Sequence, residues 1–218
     1  MKYQIRWIYK RNHLETVLHS DFMELEHALL LAADFEKTGR LKEIQFLDEF
    51  GSTWTKKEVD KLRKQEDEEP QDIVLYFDGG FDVQTKQAGV GVALYYTKNK
   101  KTYRIRRNHK FHELENNNEA EYAALLFGLQ ILEENKLHYQ IITLRGDSQV
   151  VLNQLAGRWP CYEENLHQYM ERIEKKQEVN HWKFSYEPVS RKNNREADQL
   201  ATQALNGTAI DSHAAVEE

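Results

Sequence analysis

Apolar and polar positions change period several times along the chain, and each change marks an element. Residues 2–10 alternate, with Tyr3, Ile5, Trp7 and Tyr9 on one side and Lys2, Gln4, Arg6, Ile8 and Lys10 on the other. This is the period of two that a half-buried strand requires. Residues 15–19 supply a hairpin partner. After Ser20, read as an N-cap, the period lengthens: Phe22, Leu25, Ala28, Leu29, Ala32 and Phe35 recur at helical spacing until Gly39. Residues 42–47 read as a third strand, and Thr55 caps a short helix that turns Val59 and Leu62 inward. The expectation for residues 1–62 is a small α/β unit of order ββαβα.

Residues 63–71 interrupt the pattern. They hold Lys64, Glu66, Asp67, Glu68, Glu69 and Pro70 without a large apolar side chain, the composition of a charged, solvated linker. Beyond it, Ile73 to Phe77 form a continuous apolar run, as in a strand buried on both faces, and Gly79 and Gly80 stop it immediately after Asp78. Residues 88–96 and 102–111 alternate as two antiparallel strands with a turn at 98–101. A helix over about 118–134 carries Tyr122, Leu125, Leu126, Leu129 and Leu132 on a wide apolar face. A strand at 140–144, helices at 148–156 and 163–177, a strand at 182–186 and a helix at 194–205 follow. The strand–helix–strand order calls for a right-handed crossover, which sets the 140–144 strand parallel to the 73–77 strand. Residues 206–218 read as a flexible tail.

Composition narrows the class. With 40% hydrophobic and 30% charged residues in 218, the chain has a globular profile. It holds no apolar run near the ~20 residues of a membrane span, and its first residues lack the apolar core of a signal peptide. A cytoplasmic protein is expected. The single cysteine, Cys161, has no partner for a disulfide or a CxxC zinc site, in keeping with a reducing compartment. A net charge of −6 argues against a protein that coats nucleic acid through bulk electrostatics. A carboxylate metal centre would itself add negative charge.

The carboxylates carry the chemistry. Asp78 and Asp147 end strands expected to be parallel neighbours, so both emerge at the carboxyl edge of the sheet, where ligands bind in open α/β folds. Glu121 and Asp198 lie near the starts of two helices and bring the count to four. Such a cluster repels itself and raises its own pKa values, and a cation resolves the repulsion. All the candidate ligands are oxygens, which favours Mg²⁺ or Mn²⁺ over zinc. Two such ions roughly 4 Å apart can activate water and stabilise the leaving oxygen in phosphodiester cleavage.

The order Asp78-Gly79-Gly80, then Asn116-Asn117-Asn118-Glu119-Ala120-Glu121-Tyr122, then Gly146-Asp147-Ser148-Gln149, then Asn194-Arg195-Glu196-Ala197-Asp198-Gln199-Leu200-Ala201 resembles the type 1 ribonuclease H family over about residues 72–205. The resemblance implies a ribonuclease H-like fold, with a five-stranded mixed sheet flanked by helices, following the small N-terminal unit. It implies a two-metal endonuclease that hydrolyses the RNA strand of RNA/DNA hybrids and leaves 5′-phosphate and 3′-hydroxyl ends. Asp78, Glu121, Asp147 and Asp198 match the family's catalytic, metal-binding carboxylates. Glu119 and Glu196 stand nearby, and Glu121 is preferred because two residues separate it from the asparagine pair. Asn117, Asn118 and Gln149 match residues that read the RNA strand, and an amide can both donate to and accept from a 2′-hydroxyl. Gly79 and Gly80 would let a sugar–phosphate chain approach.

The chain departs from the family pattern in two places. Residues 189–193 contain no histidine, as in the family's histidine-free branch, which leaves its role absent or to Arg191 or Lys192. No long basic insertion separates Gly157 from Glu163. Arg6, Trp7, Tyr9, Lys10 and Arg11 of the N-terminal unit suit phosphates and stacking, although packing of the aromatic face under the 22–35 helix is the simpler account, and protein binding is the other role open to the unit. Arg104, Arg106 and Arg107 read equally as a solvated strand edge or a backbone-binding groove. The rival to the nuclease is a nucleic-acid-binding protein that keeps the carboxylates and cleaves weakly.

Overall fold

The alternating N-terminal stretch forms strand β1 (Lys2–Arg11), and its aromatic side is the buried one: Tyr3 and Ile5 enter a core while Trp7 stacks on Phe35. The computed structural model describes residues 1–216 and divides them into two units, the first being Met1–Glu68. In that unit β1 lies between β2 (Leu14–His19) and β4 (Leu41–Asp48), antiparallel to both, with short bridging strands β3 (Met23–Glu24) and β5 (Thr53–Trp54). Helices α1 (Leu25–Lys37) and α2 (Lys56–Glu68) complete it.

Three local details differ from the sequence reading. Ser20 does not cap α1; its hydroxyl accepts from the Ile5 amide and donates to the Asp21 carbonyl. The pairing of β3 with Lys2 and Tyr3 delays the helix to Leu25 and leaves Phe22 exposed. The stretch taken as a linker begins as the last turns of α2, because Lys, Arg, Gln and Glu are strong helix formers even where no apolar face demands a helix. Thr55 and Glu58 cap α2 reciprocally, each accepting from the other's backbone amide.

The second unit contains β6 (Gln71–Asp82), β7 (Gln87–Lys98), β8 (Lys101–His112), α3 (Asn117–Glu134), β9 (Ile141–Gly146), α4 (Gln149–Leu155), α5 (Glu164–Asn180), β10 (Lys183–Pro188), α6 (Arg195–Leu205) and β11 (Asp211–Val216). Its sheet runs β10-β9-β6-β7-β8-β11. The β10–β9 and β9–β6 pairs are parallel and the rest antiparallel. The sheet therefore has a sixth strand, formed by residues expected to be a loose tail. No side chain of β11 is buried, so burial leaves no mark on its sequence; it is held by its ladder with β8, by the Arg107–Asp211 ion pair and by contact of His213 with the Tyr96 hydroxyl.

Ile73, Leu75 and Phe77 of β6 pack beneath Tyr122, Leu125, Leu129 and Leu132 of α3. On the opposite face α6 lies directly on β7. A Cβ added to Gly91 would sit 2.2 Å from the Ala197 carbonyl oxygen, and one on Gly89 2.1 Å from that of Ala201. Both obstacles are helix backbone, so no rotamer change relieves them. Gly91→Ala is expected to lower stability by about 3 kcal/mol, at the upper end for overpacking. Gly80→Ala, whose Cβ would meet only a Leu205 methyl at 3.4 Å, serves as the tolerated comparison. Thermal unfolding of the two variants tests this, and equal melting temperatures would contradict the packing argument.

Candidate active site

Tyr76 of β6 is in register with Arg145 of the parallel β9. Two residues further along each strand, Asp78 and Asp147 therefore leave the sheet side by side. The third carboxylate comes from α3, whose backbone touches the end of β6: a Cβ on Gly79 would lie 2.2 Å from both C and O of Ala120. The Gly79 amide donates to Glu121 Oε2 at 3.3 Å. One carboxylate oxygen each from Asp78, Glu121 and Asp147 lies within 4.8 Å of the others. The space that Gly79 frees is thus filled by α3 rather than left open for a sugar–phosphate chain. Gly80 is more open.

Asp78 and Glu121 are only 8% and 7% exposed. Burial, followed by the charge of Asp147, pushes Asp78 up to about 7. Burial, followed by the charges of Asp78 and Asp147, pushes Glu121 up to about 9, with the Gly79 amide and Arg191 opposing the rise. Near neutral pH the cluster must hold protons or a cation. Its compact, all-oxygen donor set and unrelieved mutual repulsion fit a hard divalent cation.

Asp198, in the first turn of α6, stands apart from the group of three. Its Oδ1 accepts from Nε and Nη2 of Arg191 at 3.2 and 2.8 Å, and its charge still reaches Asp78. The neighbouring glutamates have other work. Glu119 Oε2 accepts from the Glu115 amide at 2.7 Å while Asn116 caps α3 through the Glu119 amide. Glu196 binds Arg104 and Arg106, each at 3.1 Å, and the Tyr95 hydroxyl. Arg107 pairs with Glu134 and Asp211. The arginines left open by the sequence are therefore engaged in ion pairs. Asn117 and Gln149 are exposed and Asn118 half-buried; they occupy the first turns of α3 and α4, the latter capped by Ser148, which follows Asp147.

The sequence reading includes Asn194 in the last motif but assigns it no role. Its amide nitrogen donates to Asp147 Oδ1 at 2.8 Å and to the Phe77 carbonyl at 2.9 Å, and lies 3.4 Å from Asp78 Oδ1. Its place four residues before Asp198 opens the motif, but nothing in the residue pattern shows that its side chain turns to the carboxylates.

A mixed sheet with helices on both faces, and acidic groups at the end of its central parallel pair, defines a ribonuclease H-like fold. The model of the reverse transcriptase-like family matches residues 76–204. The uncharacterized protein YpeP of Bacillus subtilis (strain 168) is 40% identical over 193 residues, covering 88% of this chain and 85% of that protein. Among solved structures, RNase H1 from the halophilic archaeon Halobacterium salinarum NRC-1 is similar with a TM-score of 0.53 and 28% identity, over 62% of this chain and 98% of that one. LC11-RNase H1, solved in complex with an RNA/DNA hybrid, shares the fold with a TM-score of 0.55 at 24% identity, over 62% of this chain and 97% of that one. The chain belongs to the reverse transcriptase-like family of ribonuclease H proteins.

The raised carboxylates fix the sign of a pH dependence. Between their ordinary values of 3.8 and 4.5 and the shifted values of about 7 and about 9, the folded protein binds protons that the unfolded chain has released. The unfolding free energy of the metal-free protein must then fall as pH rises from about 4 to about 9. Asp78 contributes up to about pH 7 and Glu121 continues to about 9. Urea unfolding at pH 5, 7 and 9, in EDTA and in Mg²⁺, should show the loss in EDTA and its reversal by the cation, most strongly at pH 9. Metal-free stability that climbs across this range would refute the electrostatic account.

Proposed function

We propose that this chain is a divalent-metal-dependent endoribonuclease that hydrolyses the RNA strand of RNA/DNA hybrids, leaving 5′-phosphate and 3′-hydroxyl ends. The observation that carries the reading is the meeting of Asp78, Glu121 and Asp147 within 4.8 Å at the end of a parallel strand pair. In this reading Asp78 and Asp147 stand at the centre of the site, and Glu121 and Asp198 complete it as ligands for two Mg²⁺ or Mn²⁺ ions. The chemistry such ions supply is polarisation of a phosphoryl oxygen and activation of water. Arg191 holds Asp198 at the rim. Asn117, Asn118 and Gln149 offer amides to the 2′-hydroxyls that distinguish RNA from DNA. The hybrid bound by LC11-RNase H1 and the similarity to the archaeal RNase H1 support the choice of substrate. No described helix is long and apolar enough to cross a membrane.

One observation favours a second reading, a hybrid-binding protein that cleaves weakly. The stretch between α4 and α5 carries Arg158 as its only Lys or Arg, and Arg104, Arg106 and Arg107 are all ion-paired. The cationic grip on phosphates is then small.

The deciding experiment incubates the protein with a labelled RNA/DNA hybrid, an RNA duplex and a DNA duplex in Mg²⁺, Mn²⁺ or EDTA, beside Asp147→Asn. The expected result is metal-dependent cutting of the hybrid's RNA alone, reduced at least about a hundred-fold in the variant. Undiminished cutting by Asp147→Asn would refute the site assignment. Hybrid binding by folded protein without cutting would establish the second reading.

A further inference from the structure

Asn194 precedes α6 at its N-cap, where an asparagine side chain ordinarily accepts a hydrogen bond from the helix's own first turn. Here it makes no such bond. The side chain, only 1% exposed, turns to the carboxylates instead. Its nitrogen reaches the Phe77 carbonyl, Asp147 Oδ1 and Asp78 Oδ1 at 2.9, 2.8 and 3.4 Å. A backbone carbonyl can only accept, so the nitrogen, not the oxygen, faces this group; the flipped amide would set an oxygen against three acceptors. The Asn194 Oδ1 is buried and has no hydrogen-bond partner among the described residues. An unpaired buried acceptor is unfavourable, so the amide is held in this orientation by what its nitrogen gains from the Phe77 carbonyl and the two carboxylates.

We propose that Asn194 is a positioning residue for the divalent cation: its amide nitrogen ties Asp78 and Asp147 to one another and to the end of β6, holding the carboxylates converged where the ion would bind. The proposal rests on the metal-site reading above. It asks more of Asn194 than support of the fold, because groups that orient metal ligands set affinity as well as stability.

The test uses Asn194→Ala, Asn194→Asp and, as a comparison, Asn108→Ala. Asn108 is also buried and also tethers α6, donating to the carbonyls of Leu200 and Thr208 at 3.0 and 2.9 Å, but it touches none of the carboxylates. Mn²⁺ affinity is measured by calorimetry well below the melting temperature, and the rise in melting temperature on adding Mg²⁺ is measured alongside. Asn194→Ala should bind Mn²⁺ roughly 10- to 100-fold more weakly than the unaltered protein, while Asn108→Ala should melt lower with unchanged affinity. Asn194→Asp keeps the volume, loses the donor and adds a charge. It should be less stable without metal, and Mg²⁺ should raise its melting temperature more than that of the unaltered protein. If Asn194→Ala does not fold, Asn194→Asp decides. Unchanged Mn²⁺ affinity in Asn194→Ala, an equal Mg²⁺ increment in Asn194→Asp, or an Asn194→Asp chain that stays unfolded with Mg²⁺ present would overturn the inference alone. Failure of the unaltered protein to bind either ion would overturn the metal-site reading and this inference together.

Discussion

Mutual repulsion among buried carboxylates is the constraint to which the second unit is built. Asp78, Glu121 and Asp147 lie within 4.8 Å of one another, and two full charges at that separation repel by about 3–4 kcal/mol even at an effective dielectric constant of 20. One such pair is a sizeable part of the 5–15 kcal/mol that keeps a domain folded. The three groups come from β6, α3 and the end of β9, so repulsion acts to separate these elements. What resists is backbone-on-backbone contact. Gly79 lets α3 close onto β6, and Gly89 and Gly91 let α6 close onto β7. Helix α3 cannot tilt away without opening a layer filled by Phe77, Tyr122 and Leu125, and α6 cannot without exposing Leu200, Ala201 and Ala204.

The parts of this arrangement that bury apolar surface were legible in the sequence. The run from Ile73 to Phe77 announced a core strand, its stop at Asp78 located a carboxylate, and the crossover rule placed Asp147 beside it. Features that bury nothing apolar were not legible. No side chain of β11 is buried, and its place on β8 is a matter of backbone pairing and a few polar contacts, which leave no periodicity. Residues 63–68 extend α2 by propensity alone. Ser20 has the chemistry of a cap, and only the pairing of Met23 and Glu24 with β1 shows that the helix cannot yet begin. Gly79 was legible as a residue without a Cβ, but what occupies the vacated space is a tertiary fact.

The charged residues show the same division. Arg104, Arg106 and Arg107 form a basic cluster in sequence, yet each faces a carboxylate in the folded chain. The amides of Asn117, Asn118 and Gln149, proposed above to contact the substrate, stand in the first turns of α3 and α4, behind the side-chain caps of Asn116 and Ser148. Neutral amides of this kind, in the proposed function, would select by hydrogen-bond geometry more than by bulk charge, which suits a chain whose net charge is −6. Discrimination and grip are then separable properties.

Protons and cations compete for the same oxygens at this site. Asp78 and Glu121 retain protons to about pH 7 and about pH 9 without metal, so a cation binding there must displace them, and its apparent affinity rises with pH. The amide of Asn194 is a neutral group that touches both Asp78 and Asp147. It does not titrate, and it stabilises converging carboxylates without adding the charge of a lysine or arginine that would oppose the cation. Arg191 meets the same need at the rim, where its side chain is 79% exposed and solvent weakens its field at the centre. Neutral donors inside and a cation outside let the cluster stay assembled without metal and still leave its charge for the ion to neutralise.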